Sequence, residues 1–318
     1  MGKLQRQELI GRYGTAMAGL LLILFFAIFA PNFASSSNLI NILKDTSTLA
    51  ILSMGFALAL TIAELDLSIA EVASLAAVVC GLLVQQEYHP AMAALAAIGV
   101  GVALGGFNGF GVTRLHVPSL IMTLGTAAIA KGLSFMITGG VAFVGSWPEA
   151  FTGLARGNTG GIPHLILWLF AFTACAWGLV KWTRTGAHMV ATGEAEEAAR
   201  LSGILTARMK RVGLLLSGAL AGVTAMLLAS NLSSAAPGMA GDYFLYAIAA
   251  VLLGMTMFEP GKPNIIGTVF AALVLKVLGN GLVLLGAPYY IQDIMLGAII
   301  IGSVAFSASV LKKAAFKV

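Results

Sequence analysis

The strongest constraint on this chain is a series of apolar runs, each long enough to cross a lipid bilayer. The hydrocarbon core is about 30 Å thick, which about 20 apolar residues cross as an α-helix. The sequence therefore predicts an all-α, polytopic membrane protein, with one transmembrane domain over residues 1–318. Ten spans are expected: an anchor helix ending near Ala30, then about 45–63, 67–86, 91–112, 117–138, 163–182, 211–230, 243–258, 263–286 and 288–309.

The basic residues predict the orientation of these spans. In a ten-span topology 14 of the 18 lysines and arginines fall on one side. They are Lys3, Arg6, Arg12, Arg114, Lys181, Arg184, Arg200, Arg208, Lys210, Arg211, Lys262, Lys312, Lys313 and Lys317. The positive-inside rule then places both termini and the polar segment 183–211 in the cytoplasm. Because the basic residues flank spans and form no stripe, no nucleic-acid partner is expected.

Glycines spaced four residues apart predict close contacts between helices. Gly101, Gly105 and Gly109 recur in the fourth span, and Gly218 and Gly222 in the seventh. Small residues at this spacing let two backbones approach, which matters because lipid offers helices no hydrophobic drive to associate. A general richness of membrane helices in glycine is the alternative for the pair.

The segment from Thr183 to Arg211 is the longest polar stretch between two apolar blocks. Within it, residues 193–203 predict a short helix, capped by Thr192 or Gly193 and ended by Gly203. Glu196 and Arg200 have the spacing of an i,i+4 ion pair. A face of small residues is expected to fit a groove on a partner, and a solvated loop helix is the alternative. Its members are Ala195, Ala198, Ala199 and Ser202.

Three carboxylates lie where the second and third spans meet, at Glu64, Asp66 and Glu71. Asp66 is expected to cap the new helix, and Ser68 with Glu71 fits a capping box. The alternative interpretation is a hinge or pathway at membrane depth formed by Asp66, Ser68 and Glu71.

Four uncharged polar residues near span ends are candidates for a solute pathway, because amides and hydroxyls can replace water hydrogen bonds without holding a solute as tightly as charges do. They are Asn108, Thr123, Asn280 and Gln292. Asn108-Gly109 with Pro118 and Gly125 is matched by Asn280-Gly281 with Pro288 and Gly297, five spans later. This odd offset predicts a faint inverted repeat, in which Asn108 and Asn280 are equivalent, with chance as the alternative.

Enzyme chemistry is not indicated. The sequence around Lys262 fails the phosphate-binding loop pattern, and no catalytic triad or zinc helix is apparent. Cys80 and Cys175 lie in apolar sequence, so both are expected to pack in the core without a disulfide or metal site.

Several motifs in this order resemble the membrane permease subunit of ribose/xylose/arabinose-type ABC importers, from about Asn38 to Ala305. They are Asp66-Leu-Ser68, Gly-Phe-Asn108-Gly-Phe-Gly, Val-Pro118-Ser-Leu-Ile-Met-Thr123-Leu-Gly125, Thr185-Gly186, Ala191-Thr-Gly193, Ala198-Ala199-Arg-Leu-Ser202-Gly203-Ile204 and Asn280-Gly281-Leu. The resemblance implies a ten-span subunit with an ABC importer permease fold. It also implies a second permease, identical or paralogous, two cytoplasmic ATP-binding subunits and a periplasmic substrate-binding protein.

In that family the segment matching residues 193–203 is the coupling helix, which docks into the ATPase. The ATPase-coupling residues so implied are Gly193, Glu194, Glu196, Glu197, Ala198, Ala199, Arg200, Leu201, Ser202 and Gly203. No cofactor is expected in this chain, since Mg-ATP would bind the partner subunits.

We therefore expect the non-catalytic permease subunit of an ATP-driven, binding-protein-dependent importer in a bacterial inner membrane. The expected solute is a monosaccharide, a pentose-like sugar or polyol. The first alternative is an ion-coupled secondary transporter, for which Asp66, Glu71, Lys131 and Lys276 are the titratable candidates. The second is a membrane scaffold or enzyme, disfavoured by the lack of a catalytic constellation.

Overall fold

A computed structural model describes the backbone of residues 3–315 and the side chains of residues 13–305. Within that range the chain forms thirteen α-helices and four two-residue strands. The helices are α1 Lys3–Phe29, α2 Ser36–Thr61, α3 Ile69–Gln85, α4 Pro90–Arg114, α5 Ser119–Thr138, α6 Glu149–Arg156, α7 His164–Trp182, α8 Arg184–Glu194, α9 Glu196–Leu201, α10 Thr206–Leu232, α11 Tyr243–Gly254, α12 Ile265–Leu284 and α13 Tyr289–Ala315. The strands are β1 Phe143–Val144, β2 Asn158–Thr159, β3 Ile162–Pro163 and β4 Ser234–Ala235, paired antiparallel as β1 with β4 and β2 with β3.

The predicted spans correspond one to one with apolar helices, namely α1 to α5, α7 and α10 to α13. Six of these are long and apolar enough to cross a membrane by length and composition: α2, α4, α5, α7, α10 and α12. Within the described residues, four shorter apolar stretches of 10–17 residues lie at Tyr13–Phe29, Ile69–Gln85, Tyr243–Gly254 and Tyr289–Ala305. The helical membrane architecture is confirmed, and the count of ten spans is approximate.

Two helices form the centre of the subunit. The most apolar windows of α2 and α10 are 83% and 78% buried, whereas those of α4, α5 and α7 are 22% buried. α10 packs against α2, α3 and α4. α4, α5 and α7 therefore expose most of their apolar surface to whatever surrounds the subunit.

Glycines bring α4 and α10 together, as their spacing predicts. A Cβ at Gly105 would lie 2.5 Å from the carbonyl oxygen of Leu214, and one at Gly101 would collide with the carbonyl of Gly218. A Cβ at Gly222 would lie 2.5 Å from the carbonyl oxygen of Ala97. Only residues without a side chain allow the two backbones this close, so the predicted close packing is confirmed.

A second, peripheral cluster joins the beginning of the chain to α12. Phe26 is buried against Val277 and Leu278. Nearby, two amides form a reciprocal pair: Asn38 Nδ2 donates to Asn280 Oδ1 at 3.0 Å, and Asn280 Nδ2 donates to Asn38 Oδ1 at 2.9 Å. The pair fixes the start of α2 to α12.

Some sequence predictions differ from the structure. α2 begins at Ser36 instead of near residue 45, because Ser35 caps it and accepts from the Asn38 N–H at 3.4 Å, while Lys44 and Asp45 continue the helix. Cys80 is buried as expected, but Cys175 is exposed, so the prediction of core packing is wrong for Cys175.

The basic residues near the two ends of the chain, on which part of the orientation argument rests, lie outside the described side chains. They are Lys3, Arg6, Arg12, Lys312, Lys313 and Lys317.

Candidate functional site

The predicted coupling segment, residues 193–203, forms the end of one helix and the whole of the next. Gly193 and Glu194 close α8, and Ala195, with φ −155° and ψ 83°, breaks the helix before α9 begins at Glu196. The single helix capped by Thr192 or Gly193 is therefore a wrong prediction. The predicted stop is confirmed, since α9 ends at Leu201 and Gly203 has φ +82°, a left-handed conformation suited to glycine.

The small-residue face of α9 is divided between the subunit and its surroundings. Ala199 is 5% exposed and packs inside the subunit, whereas Ala198 and Ser202 are exposed. In α9 and the short link that follows it, the exposed large apolar side chains are instead Leu201 at 85% and Leu205 at 67%. A partner would therefore meet these two leucines, and Ala199 is not part of the free surface.

Ion pairs around α9 also differ from the i,i+4 prediction. Arg200 Nη2 pairs with Glu197 Oε2 at 2.8 Å, and Glu196 pairs with Lys210 instead of Arg200. Glu194 accepts a short hydrogen bond from Lys262 in the loop before α12, and this bond raises the pKa of the Lys262 ammonium against the opposing effect of burial. These contacts hold the end of α8 to the α11–α12 loop.

Lys210, near the start of α10, joins two carboxylates and is a residue that the sequence did not single out. Its Nζ lies 2.8 Å from Glu64 Oε1 and 2.8 Å from Glu196 Oε2. The side chains of Lys210 and Glu64 are only 19% and 9% exposed, in contrast to 47% for Glu196. The sequence signal that could have identified it is its place directly before the predicted span 211–230, at the edge of the apolar sequence.

A polar cluster lies buried between α3, α4, α5 and α10. Asp66 Oδ1 accepts from the Ser68 N–H at 3.1 Å and the Ser68 hydroxyl at 2.5 Å, and Asp66 Oδ2 accepts from the Ser217 hydroxyl at 2.7 Å. Asn108 Nδ2 donates to the Ser68 hydroxyl at 2.9 Å, and the Thr126 hydroxyl donates to Asn108 Oδ1 at 2.6 Å. All five side chains are at most 1% exposed. We call these five residues, Asp66, Ser68, Asn108, Thr126 and Ser217, the polar cluster.

The capping predictions for α3 are wrong. Ser68 is the residue before the helix but has φ −84° and ψ −14° and makes no capping bond. Asp66 and Ser68 instead bond each other and the other members of the polar cluster. Buried hydroxyl and carboxylate groups need such partners, because solvent cannot reach them.

Segment 62–68, between α2 and α3, is also held by α5. The Leu67 N–H donates to the Thr123 hydroxyl at 3.1 Å, and the single proton of that hydroxyl lies within reach of two carbonyls, Ser119 of its own helix at 2.8 Å and Leu65 at 3.1 Å. Thr123 is 0% exposed. The segment therefore connects the inner surface of α5 to the centre of the subunit.

The four pathway candidates form two separate pairs. Asn108 and Thr123 are fully buried around segment 62–68. Asn280 bonds Asn38, and Gln292 Oε1 lies 3.1 Å from where a Cβ on Gly279 would stand. That all four line one solute pathway stays a prediction.

The titratable candidates for ion coupling lie in different surroundings. Lys276 Nζ is 5.0 Å and 5.4 Å from the ring centroids of Tyr243 and Tyr246. Glu71 Oε2 is buried without a hydrogen-bond partner among the described residues, and Lys131 is the cation whose charge acts on it. Lys131 itself is exposed on α5.

Comparison with known proteins adds the family context. A family model described as branched-chain amino acid transport system / permease component matches residues 38–304. The ribose import permease protein RbsC of Escherichia coli (strain K12) is 34% identical over 288 residues, 90% of each chain. The L-arabinose transport system permease protein AraH of the same strain is 31% identical over 296 residues, 93% of this chain and 90% of that one.

A solved structure supports the fold. A chain of an ABC transporter described as of the metal-chelate type, in an inward-facing conformation, superposes with a TM-score of 0.52 at 14% identity. The match covers 92% of this chain and 98% of the other. The predicted ABC transporter membrane fold is confirmed.

Proposed function

This chain belongs to the family of branched-chain amino acid transport system permease components, and on that premise we propose that it is the permease of an ATP-driven sugar importer. The observation that carries the proposal is its 31–34% identity, over at least 90% of the chain, to permeases named for ribose and L-arabinose. These relatives favour an importer subunit over the ion-coupled alternative. The solute is a monosaccharide, a pentose-like sugar or polyol.

The proposal includes partners and a location. Two cytoplasmic ATP-binding subunits would bind Mg-ATP, a periplasmic protein would deliver the sugar, and a second permease, identical or paralogous, would complete the membrane part. The protein would lie in a bacterial inner membrane with both termini in the cytoplasm, as the basic residues favour.

The docking element for the ATPase is α9 with the residues that flank it. It lies in the most charged connection between the apolar helices and presents Leu201 and Leu205 to solvent. An exposed leucine at the end of a short helix, with a second one four residues later, is suited to a hydrophobic pocket on a partner, where a few residues usually carry most of the binding energy. Glu194, Glu196, Glu197 and Arg200 would surround this contact as a charged rim.

Docking is tested with the substitution Leu201→Asp. Loss of a buried anchor typically costs about 2 kcal/mol or more, so copurification of the ATPase should fall at least about thirtyfold. Leu232→Asp is the matched control, because Leu232 is 54% exposed at the opposite end of α10. Normal ATPase recovery with Leu201→Asp would contradict docking through α9.

The exposed face of α5 is where we place the second permease and the solute pathway. Lys131 is exposed about 18 Å along the helix from Ser119 and about 10 Å before Thr138. Facing lipid, a lysine at that depth costs about 2.5–3.5 kcal/mol by insertion scales. A water-filled pathway or a partner subunit removes that cost.

The experiment for the function itself is uptake into proteoliposomes that contain the permease, its ATPase and its binding protein. We expect ATP-dependent uptake of at least one of D-ribose, D-xylose, L-arabinose and erythritol, and none of leucine. Uptake of leucine alone would overturn the sugar assignment. Uptake by the permease without the ATPase would overturn the ATP-driven mechanism.

A further inference from the structure

The ion triad of Glu64, Lys210 and Glu196 differs from the other ion pairs of the described chain. In the remaining pairs every side chain is at least 42% exposed. In the triad one partly buried ammonium serves two carboxylates, one of them 9% exposed. Exposed ion pairs contribute little free energy and so do little to hold two side chains together. A buried carboxylate that loses its cation, in contrast, strongly destabilises the fold. Lys210 therefore fixes Glu64 in relation to Glu196.

The three partners belong to three elements with different neighbours. Glu196 is the first residue of α9, Lys210 belongs to α10, and Glu64 belongs to segment 62–68. The backbone of α8 reaches the same place, since a Cβ at Gly193 would collide with the Thr61 carbonyl. The beginning of segment 62–68 is thus bound to the cytoplasmic elements α8 and α9.

The end of the same segment is bound to the membrane helices. Two residues after Glu64, Asp66 enters the polar cluster, which reaches α4 through Asn108 and α5 through Thr126. Two hydroxyls of α5 also hold this backbone: Thr123 accepts from the Leu67 N–H at 3.1 Å, and Ser119 accepts from the Leu65 N–H at 3.3 Å. Few covalent bonds therefore separate the attachment to α9 from the attachment to α5.

We infer that Lys210 is a positioning residue for transport, which links α9 through Glu64 and segment 62–68 to α5. Movement of α9 by the ATPase pulls Glu64 through the shared ammonium and shifts the polar cluster that holds α5. The inference rests on the proposed function, because it needs α9 to be the element that the ATPase moves. It adds a residue and a route that docking alone does not require.

The experiment follows α5 directly. Ile121, 62% exposed on α5, is changed to Cys in a chain with Cys80→Ala and Cys175→Ala, and the permease–ATPase complex is purified. Its labelling by a membrane-impermeant maleimide is compared without nucleotide and with vanadate-trapped ATP. We expect the labelling rate to differ at least about fivefold between the two states, a coupling of ordinary size.

Glu64→Gln removes one charge of the triad and leaves the Lys210–Glu196 pair to support folding. With Glu64→Gln or Lys210→Met the nucleotide-dependent difference should fall below about twofold, and Lys210→Arg should restore it. Combining Glu64→Gln with Lys210→Met should add nothing, since both break one link. Lys181→Met is the control, because it removes the exposed Lys181–Glu259 pair.

Two results overturn the inference, even if Lys210→Met does not fold. One is a labelling rate in the otherwise wild-type chain that is the same with and without nucleotide. The other is a nucleotide-dependent difference in labelling rate that Glu64→Gln leaves undiminished. ATPase copurification is measured first on the same samples. A chain that never binds the ATPase contradicts the proposed function, whereas a chain that binds it but keeps the wild-type response without the triad contradicts only the role of Lys210.

Discussion

At the scale of residues, the polar cluster is the most demanding arrangement in the subunit. Asp66 is 1% exposed, yet its carboxylate receives three hydrogen bonds from the side chains of Ser68 and Ser217 and the Ser68 backbone. A buried carboxylate is tolerated only when its oxygens are satisfied. Losing one donor therefore costs more than the hydrogen bond itself, because it also leaves a buried carboxylate oxygen unsatisfied.

Ser217→Ala tests that importance. It leaves Asp66 Oδ2 without its 2.7 Å donor, and an unsatisfied buried acceptor costs about 1–3 kcal/mol. We expect a lower Tm of the detergent-solubilised subunit. Ser53→Ala is the matched control, because Ser53 is also fully buried but bonds only the Leu49 carbonyl of its own helix. Equal Tm values for both variants would show that Ser217 does not support Asp66.

Residue types predicted only part of this site. Asp66, Ser68 and Asn108 were recognisable as polar residues in apolar surroundings, but their mutual bonds were not. Ser217 and Thr126 had no sequence signal, because a single hydroxyl in an apolar helix usually bonds its own backbone. Which hydroxyl turns to a neighbouring helix depends on helix rotation, and local sequence does not specify it.

At the scale of elements, the contact of α4 with α10 depends on the absence of side chains. Gly105→Ala adds a methyl group 2.5 Å from the Leu214 carbonyl oxygen, so the helices must separate. Overpacking of this kind typically costs about 1–3 kcal/mol, and we expect a lower Tm. Gly99→Ala, in the same helix but with no atom within 4 Å of the added carbon, should be neutral. A similar loss in both variants would indicate a backbone effect instead of the helix contact.

The packing of α4 against α10 could be predicted because glycines spaced four residues apart lie on one face of a helix, where they let a second backbone approach closely. The break between α8 and α9 could not. Residues 193–203 contain good helix formers, and the chain still bends at Ala195. Ala199 on one side of the bend packs inside the subunit, so tertiary contacts override the local preference for one continuous helix.

At the scale of the whole molecule, the surroundings of α5 and α7 should differ although both expose most of their apolar windows. We expect Ala128→Cys, on the face of α5 that carries Lys131, to react with a membrane-impermeant maleimide in the assembled importer. Phe170→Cys, at a residue 67% exposed on α7, should stay unreactive because it faces lipid. The measurement uses a background without Cys80 and Cys175. Reaction at residue 170 but not at residue 128 would move the pathway away from α5.

The overall architecture was predictable because bilayer thickness fixes helix length. Which helices occupy the centre was not, since α4 is more apolar than α2 and yet is 22% buried where α2 is 83% buried. The faint repeat of Asn108 and Asn280 did not predict their contacts, because Asn108 bonds inside the polar cluster and Asn280 bonds Asn38.

The Asn38–Asn280 pair also sets an order of events during biosynthesis. Asn280 lies 242 residues after Asn38, so at about 5–20 residues per second a ribosome needs about 12–48 s to supply the second amide. Until then Asn38 lacks its partner amide on α12, and Phe26 lacks the Val277 and Leu278 side chains that cover it. The contacts of α1 and of the first turn of α2 with α12 are therefore completed only after the intervening helices have been made.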